Sequence, residues 1–476
     1  MKKLIGGWLC LSLAFFSCES LTEVSKIKNG DEDPNAVTPA ANKGNSNTTV
    51  NSWIYDNMNV YYLWGDKMPL KSSTKTSITP DKYFASLLYQ YGTVDRFSWI
   101  EEDAEELANS LNGITKSSGF SYMPYLVRSG SKDVLFAVRY AIKNSPAAKA
   151  GLKRGDIIMK VNGVQIDTSN YRTILSPEVL DLTLGTSSNG SFVASNTSIK
   201  VTKEVIQNYP VHHSSIIDLG NKKVGYIVYN QFIPGTANTF DNELRSIFGN
   251  FKGAGVSELV LDLRYNGGGY ITSSDVLSSL IVKDLKPGTL MNKQIWSANY
   301  MALANFPSSV YETKWLSEPN NLGNLSRVYV LVSNSTASAS ELVINNLKPF
   351  MDVILIGENT YGKDVGSITI DDKENKYRWK WGLQPIVLRT VNAIGEAKYG
   401  TKDGFVPDYR VVDNKLPYRP FGDPEETLLN VALQHISGTM TSARVRVEKG
   451  MDSFGASGGF DNPRNNIRDM YWDRKQ

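Results

Sequence analysis

The chain has 476 residues, 41% hydrophobic and 21% charged, enough apolar material for two or three folded domains and not the composition of a disordered or fibrous protein. Its 51 Lys and Arg nearly balance 48 Asp and Glu, for a net charge of +3, which excludes nucleic acid or a polybasic membrane surface as the main partner. The two cysteines, Cys10 and Cys18, and three histidines, His212, His213 and His435, form no spaced ligand pattern, so neither a metal nor another cofactor is expected.

The first residues, "MKK", are basic, and "LIGGWLCLSLAFF" after them is an apolar run too short to cross a bilayer. Ser17–Cys18 follows. The segment 1–18 resembles a bacterial lipoprotein signal, which implies lipidation of Cys18 and a lipid-anchored place in the bacterial cell envelope, periplasmic or surface-exposed. Residues 19–48, rich in Asn, Ser, Thr, Pro and Gly, read as a flexible tether. Residues 49–115 are dense in aromatics and predict an N-terminal helical segment that packs on a larger body, a structural layer.

Residues 116–205 predict a separate β-rich module. In "NSPAAKAGLKRGDIIMKVNGVQI", Ser145 caps a short helix with Pro146 at its first position, and Gly151 ends it. A turn at Gly155–Asp156 leads to the strand Ile157–Val161, and Asn162–Gly163 signals a type I′ hairpin. This spacing resembles the C-terminal half of a bacterial PDZ domain. The resemblance places Gly119 and Phe120, in "SSGFSYMPYLV", in a carboxylate-binding loop and implies recognition of free C-termini by strand addition.

Residues 206–436 alternate apolar strands ("KKVGYIVYNQF", "SELVLDLR", "RVYVLVS", "VILIGE") with amphipathic helices, an α/β pattern. Near its end Asp423, Pro424 and Glu426 read as cap, first position and capping-box acid of a helix. Residues 437–476, rich in Gly and Asn, read as an irregular tail.

Three segments end apolar strands, where α/β folds place their chemistry. "DLRYNGGGY", Asp262–Tyr270, lets backbone N–H groups face a cavity, as an oxyanion hole requires; it matches no nucleotide-binding loop. "STASASE" places Ser338 at a helix N-terminus with Glu341 three residues on, a capping box. "YGKD" brings Lys363, 25 residues after Ser338. Lysine serves as a general base only when neutral, and burial lowers its pKa by up to ~3–5 units.

Together "DLRYNGGG", "STASASE", "GENTYGK" and the later "GFVPD", in this order and spacing, resemble the carboxy-terminal processing proteases, serine peptidase family S41. The likeness spans roughly residues 50–436. It implies a crotonase-like α/β core of the ClpP/crotonase type with an inserted PDZ domain. By motif it makes Ser338 the nucleophile, Lys363 the base, and the backbone N–H groups of Gly269 and Ala339 the oxyanion donors. Two positions depart from the family pattern. Asp364 stands where glycine is usual, and Ser367 stands where a glutamine orients the lysine; the side chain of Asp364 is expected to point away from the pair.

The resulting expectation is a serine endopeptidase that cleaves envelope or secreted proteins. Two alternatives from other classes are a binding protein on a degenerate protease scaffold, which the altered Ser367 would favour, and a Ser/His hydrolase using His212 or His213.

Overall fold

The computed structural model describes residues 46–188, 191–304, 312–375 and 378–440, together with the backbone of 470–471. Cys18, the signal and most of the tether lie outside the described residues. Among the described residues no helix is long and apolar enough to cross a membrane.

The described chain opens with helices Asn47–Tyr61, Pro80–Leu87 and Ala104–Leu111. Ser46 caps the first and Asp103 the third, each accepting backbone N–H groups of the first turn. Val50, Ile54, Met58, Phe84 and Leu87 share one buried cluster with Trp296, Ile368, Trp379 and Leu388 of the later chain. The N-terminal layer is therefore part of the body that carries the site.

The next unit is entered and left on an antiparallel ribbon in which Ile114–Ser117 pairs with Glu204–Gln207. Beyond it one sheet carries strands Phe120–Leu126, Val134–Ala141, Ile157–Val161, Val179–Ser188 and Ser191–Thr202, in that order. Ser145 accepts the Ala148 N–H at 3.2 Å and starts the helix Pro146–Lys149. Asn162 and Gly163 both have positive φ, 51° and 76°, and turn Ile157–Val161 back into Val164–Gln165, as a type I′ hairpin demands.

The second half is layered. One six-stranded sheet has the order Val211–Asp218, Lys223–Tyr229, Glu258–Asp262, Arg327–Val332, Asp352–Gly357, Tyr409–Arg410, antiparallel at the first pair and parallel thereafter. Successive strand residues face opposite ways. Leu259 and Leu261 pack under helices Thr239–Gly253, Ile271–Ile281 and Ala339–Leu347, whereas Val260 packs under helix Thr427–Ser437. Burial on both faces is why these strands read as unbroken apolar runs.

Two expectations for the end of the chain need correction. The last helix is capped by Glu426, which accepts from Leu428 N (3.2 Å) and Leu429 N (3.0 Å), while Asp423 accepts from Glu425 N and Arg419 before the helix begins. The reason lies outside the segment: Arg264 grips Glu426 at 2.6 and 2.9 Å and fixes where the helix begins. Nor is the tail irregular throughout. Met470–Tyr471 forms a strand in a second six-stranded sheet, ordered Gly269–Tyr270, Met470–Tyr471, Val365–Ser367, Ile386–Asn392, Leu290–Trp296, Glu312–Lys314.

Candidate active site

Three neighbouring parallel strands, Glu258–Asp262, Arg327–Val332 and Asp352–Gly357, deliver the three motifs to one end of the sheet. Side chains and backbone then stitch the loops together. Asn266 accepts through its carbonyl from Ala337 N (3.1 Å) and Ser340 Oγ (3.0 Å), so the glycine loop is tied to the serine turn. Thr336 Oγ1 donates to Leu263 O at 2.9 Å, and Tyr361 N donates to Thr336 O at 3.0 Å, joining the serine turn to its neighbours on both sides.

Ser338 sits at the N-terminus of helix Ala339–Leu347 with φ 63° and ψ −113°, a conformation costly for a residue with a Cβ. It is buried, and its hydroxyl oxygen has no hydrogen-bond partner. Ala339, the expected second oxyanion donor, is the first residue of that helix, where backbone N–H groups have no partner within the helix. Gly269 has φ 136°, and a Cβ there would drive into the Phe232 carbonyl, so only glycine fits. Its neighbours fix it: Phe232 N donates to Gly268 O and Tyr270 N to Phe232 O, each at 2.9 Å.

Glu341 connects Ser338 and Lys363. Its Oε2 accepts the backbone N–H of both Ser338 (2.8 Å) and Lys363 (2.9 Å), and its Oε1 accepts from Gly362 N (2.8 Å) and Thr360 Oγ1 (2.5 Å). One carboxylate thereby holds the serine turn and the lysine loop in register. Burial pushes Glu341 up to about 7, against the pull of these four donated bonds.

Lys363 is fully buried, its ammonium nitrogen 5.0 Å from the centre of the Phe97 ring. Because Ser338 Oγ has no partner, no hydrogen bond joins it to Lys363 Nζ in this arrangement. Arg96 donates to Gly362 O, and Phe97 lies against Tyr361 with ring centroids 5.9 Å apart. The N-terminal layer thus roofs the lysine loop, a role the sequence reading did not assign to it. The nearest signal was "DRFSW", in which Asp95 accepts from Phe97 N and Ser98 N and so aims Arg96 and Phe97 inward.

The two departures from the family pattern have partners of their own. Asp364 is buried and bonded to Arg389 Nε at 3.1 Å; burial raises its carboxyl, Arg389 and then Arg96 oppose that, and its carboxylate packs on Gly400. Ser367 Oγ accepts from Gln384 Nε2 at 2.9 Å, and Gln384 Oε1 accepts from Thr369 Oγ1 at 3.0 Å. A glutamine is present beside Ser367 after all, supplied by the strand Gly382–Gln384.

Elsewhere, Gly119 and Phe120 are buried at the start of the strand Phe120–Leu126. The Gly119 N–H donates to Ser117 Oγ at 2.8 Å, so this donor of the expected carboxylate loop is engaged within the chain. His212 and His213 lie on the strand Val211–Asp218, among the rings of Tyr140, Phe421 and Tyr226. Burial, then Arg154, lowers His212 to about 4. Neither histidine contacts Ser338, whose hydroxyl has no partner.

Comparison with known proteins agrees with this architecture. The model of peptidase family S41 matches residues 223–411, that of the S41 N-terminal domain residues 49–99, and that of a PDZ domain residues 138–184. A crystal structure from Bacteroides fragilis NCTC 9343, assigned to the S41 proteases, superposes with a TM-score of 0.70 at 30% identity, covering 82% of this chain and 98% of the other. A Staphylococcus aureus (strain N315) protein named "Probable CtpA-like serine protease" is 24% identical over 70% of this chain and 72% of its own length. The "Carboxyl-terminal-processing protease" of Picosynechococcus sp. (strain ATCC 27264 / PCC 7002 / PR-6) is 25% identical over 64% of this chain and 67% of its own. With a 30%-identical structure matched almost end to end and three successive family models in the expected order, the chain belongs to peptidase family S41 and is a serine-type peptidase with a PDZ domain.

Proposed function

We propose that the chain is an endopeptidase that works through a Ser338/Lys363 dyad. The observation that carries this is the single Glu341 oxygen accepting the backbone N–H groups of both residues. Lys363, in its neutral form, takes the Ser338 proton as Oγ attacks the scissile carbonyl. The N–H groups of Gly269 and Ala339 stabilise the tetrahedral oxyanion. The proton then passes to the leaving amine, and water hydrolyses the acyl-enzyme with the lysine again as base. Lys363 is fully buried beneath the Phe97 ring, which keeps its side chain close to the serine turn. Ser367, backed by Gln384, holds the amine.

The substrates are envelope or secreted proteins, and the PDZ domain receives their free C-termini near Gly119 and Phe120. Because the Gly119 N–H already serves Ser117, a carboxylate there displaces that bond, and an amidated peptide is expected to bind more weakly than its free counterpart. Cys18 anchors the chain to the bacterial envelope through lipid.

The test is labelling with a serine-reactive fluorophosphonate, followed by identification of the modified peptide. Ser338 is the expected site in the wild-type chain, with no label and no cleavage in Ser338→Ala. Lys363→Ala and Lys363→Arg both lose activity, arginine because it stays charged at any working pH. His212→Ala with His213→Ala retains it. Labelling elsewhere, or activity that survives Ser338→Ala, overturns the assignment.

A further inference from the structure

The strand Met470–Tyr471 lies between two strands of the site. Gly269, the expected oxyanion glycine, is the register partner of Met470, and Tyr270 is that of Tyr471; on the other side Ser367 is also a partner of Tyr471, all in parallel sense. Each flanking strand has its far edge occupied by the core: Gly269 bridges to Phe232, and Val365–Ser367 pairs antiparallel with Ile386–Arg389. Their near edges face one another across a gap that admits one extended chain, since neighbouring strands stand ~4.8 Å apart. A sheet edge exposes unpaired N–H and C=O groups and accepts any extended backbone that fits. Here it accepts a later part of the same polypeptide. The local sequence "DMYWDRK" suits the task, with Met-Tyr-Trp of high strand preference between charged residues, in a tail otherwise rich in Gly and Asn.

We propose that the gap between Gly269–Tyr270 and Val365–Ser367 is a strand-docking groove whose resting occupant is the chain's own strand Met470–Tyr471. That segment acts as an intramolecular competitor of substrate. The inference rests on the site assignment above, because the groove regulates activity only if Gly269, Ser338 and Lys363 are the reacting site. Binding in cis is set by effective concentration, of order ~1 mM. A segment that binds at ~0.1 mM in trans would therefore fill the groove about ten to one. Saturating substrate displaces it, so the tail raises KM and leaves kcat alone.

Two measurements test this on the full chain. The first compares wild type with Met470→Pro plus Tyr471→Pro, which removes the N–H groups a strand needs while leaving the rest of the tail in place. With casein as reporter, kcat/KM is expected to rise about tenfold at unchanged kcat, and a synthetic 463–476 peptide is expected to inhibit the variant competitively. The second places cysteines at Tyr270→Cys and Tyr471→Cys, with Cys10 and Cys18 replaced by serine, and asks for a disulfide under mild oxidation. Register partners on adjacent strands fall within disulfide reach. Equal kcat/KM in the two chains, a change in kcat alone, or no cross-link overturns the proposal. Fluorophosphonate labelling run in parallel separates the two claims. Ser338 labelled in both chains at equal reporter rates condemns the tail alone. No labelling in either condemns the dyad, and the cross-link then decides whether the groove holds the tail.

Discussion

Among the buried carboxylates of the described residues, those of two regions are balanced in opposite ways. At the site, Glu341 is surrounded by neutral donors, three backbone N–H groups and one hydroxyl. At the junction between the PDZ domain and the core, Asp262, Asp413 and Glu426 meet two guanidinium groups. Arg264 bonds all three, and Arg154, from the PDZ domain, bonds Asp413 and Glu426. Arg154 also reaches Tyr265 Oη at 2.9 Å, so the junction touches the loop that carries the glycine triplet. Burial pushes Asp413 up, but Arg154 and Arg264 outweigh it and hold the carboxyl below its ordinary value; deeper in, burial of Asp262 outweighs Arg264 and leaves it raised. Glu341, answered by dipoles, titrates near neutral pH, whereas Asp413, answered by two guanidinium groups, is held below its ordinary value.

Breaking the joint should have the largest effect. Arg264→Met removes a guanidinium that is 1% exposed and leaves Asp262 and part of Glu426 buried without their cation. The expected loss is about 3–5 kcal/mol of stability, read by chemical denaturation. Arg154→Met, which removes the PDZ side only, should cost less, because Arg264 still satisfies Glu426. Equal losses in the two variants would mean that the junction, and not the core, is what the arginines hold together.

The second prediction uses pH. Glu341 has a folded-state value of about 7 against an ordinary 4.5, so between these the folded chain holds a proton that the unfolded chain has released. Its contribution is fully present below about pH 4.5 and is lost as pH rises to about 7, on the order of 3 kcal/mol in all. Asp413, held below its ordinary 3.8, bends the curve the other way: its stabilisation is present above that value and lost as pH falls beneath it. Activity should run against stability around Glu341. All four of its partners donate, so protonation forces one bond to be given up, and kcat is expected to fall as pH drops through about 7. Glu341→Gln should flatten the stability slope between 4.5 and 7 while abolishing most activity, because an amide NH2 cannot accept from two N–H groups. Unfolding free energies measured from pH 4.5 to 8 for both chains decide it.

The parts of this site that were legible in the sequence are those whose logic is local. The glycine triplet, the serine before a helix and the lysine after a glycine each end an apolar strand, and strand periodicity places such residues at a sheet end. The Asn162–Gly163 hairpin and the Ser145 cap follow from the φ preferences of a few adjacent residues. What was not legible depends on distant segments. Arg96 and Phe97 reach the lysine loop from a layer more than 250 residues earlier in the chain, with Arg96 bonding Gly362. Glu426 replaces Asp423 as helix cap only because Arg264 pulls on it. Met470–Tyr471 becomes a strand because two open edges await one, and nothing in the tail itself announces them. Packing and edge pairing chose among options the local sequence left open.

The smallest predicted effect concerns Gln384, the other residue that local sequence concealed. It is fully buried between Ser367 and Thr369, donating to Ser367 Oγ at 2.9 Å and accepting from Thr369 Oγ1 at 3.0 Å. A hydroxyl has one proton and two lone pairs. With the amide of Gln384 donating to one lone pair, Ser367 is oriented to give its proton elsewhere, and an acceptor such as a neutral lysine amine is what a Ser/Lys mechanism needs there. Gln384→Ala removes both bonds and should cost about 1–3 kcal/mol of stability. On activity it should lower kcat by about tenfold, the equivalent of ~1.4 kcal/mol, and shift the pH–kcat profile, because Ser367 loses the bond that orients its proton. Gln384→Glu keeps the acceptor for Thr369 but offers no proton to Ser367, so its profile should shift in the same direction. A variant that loses stability with an unmoved profile would make Gln384 a packing residue only, and would leave Lys363 oriented by the Glu341 brace and the Phe97 ring without help from this strand.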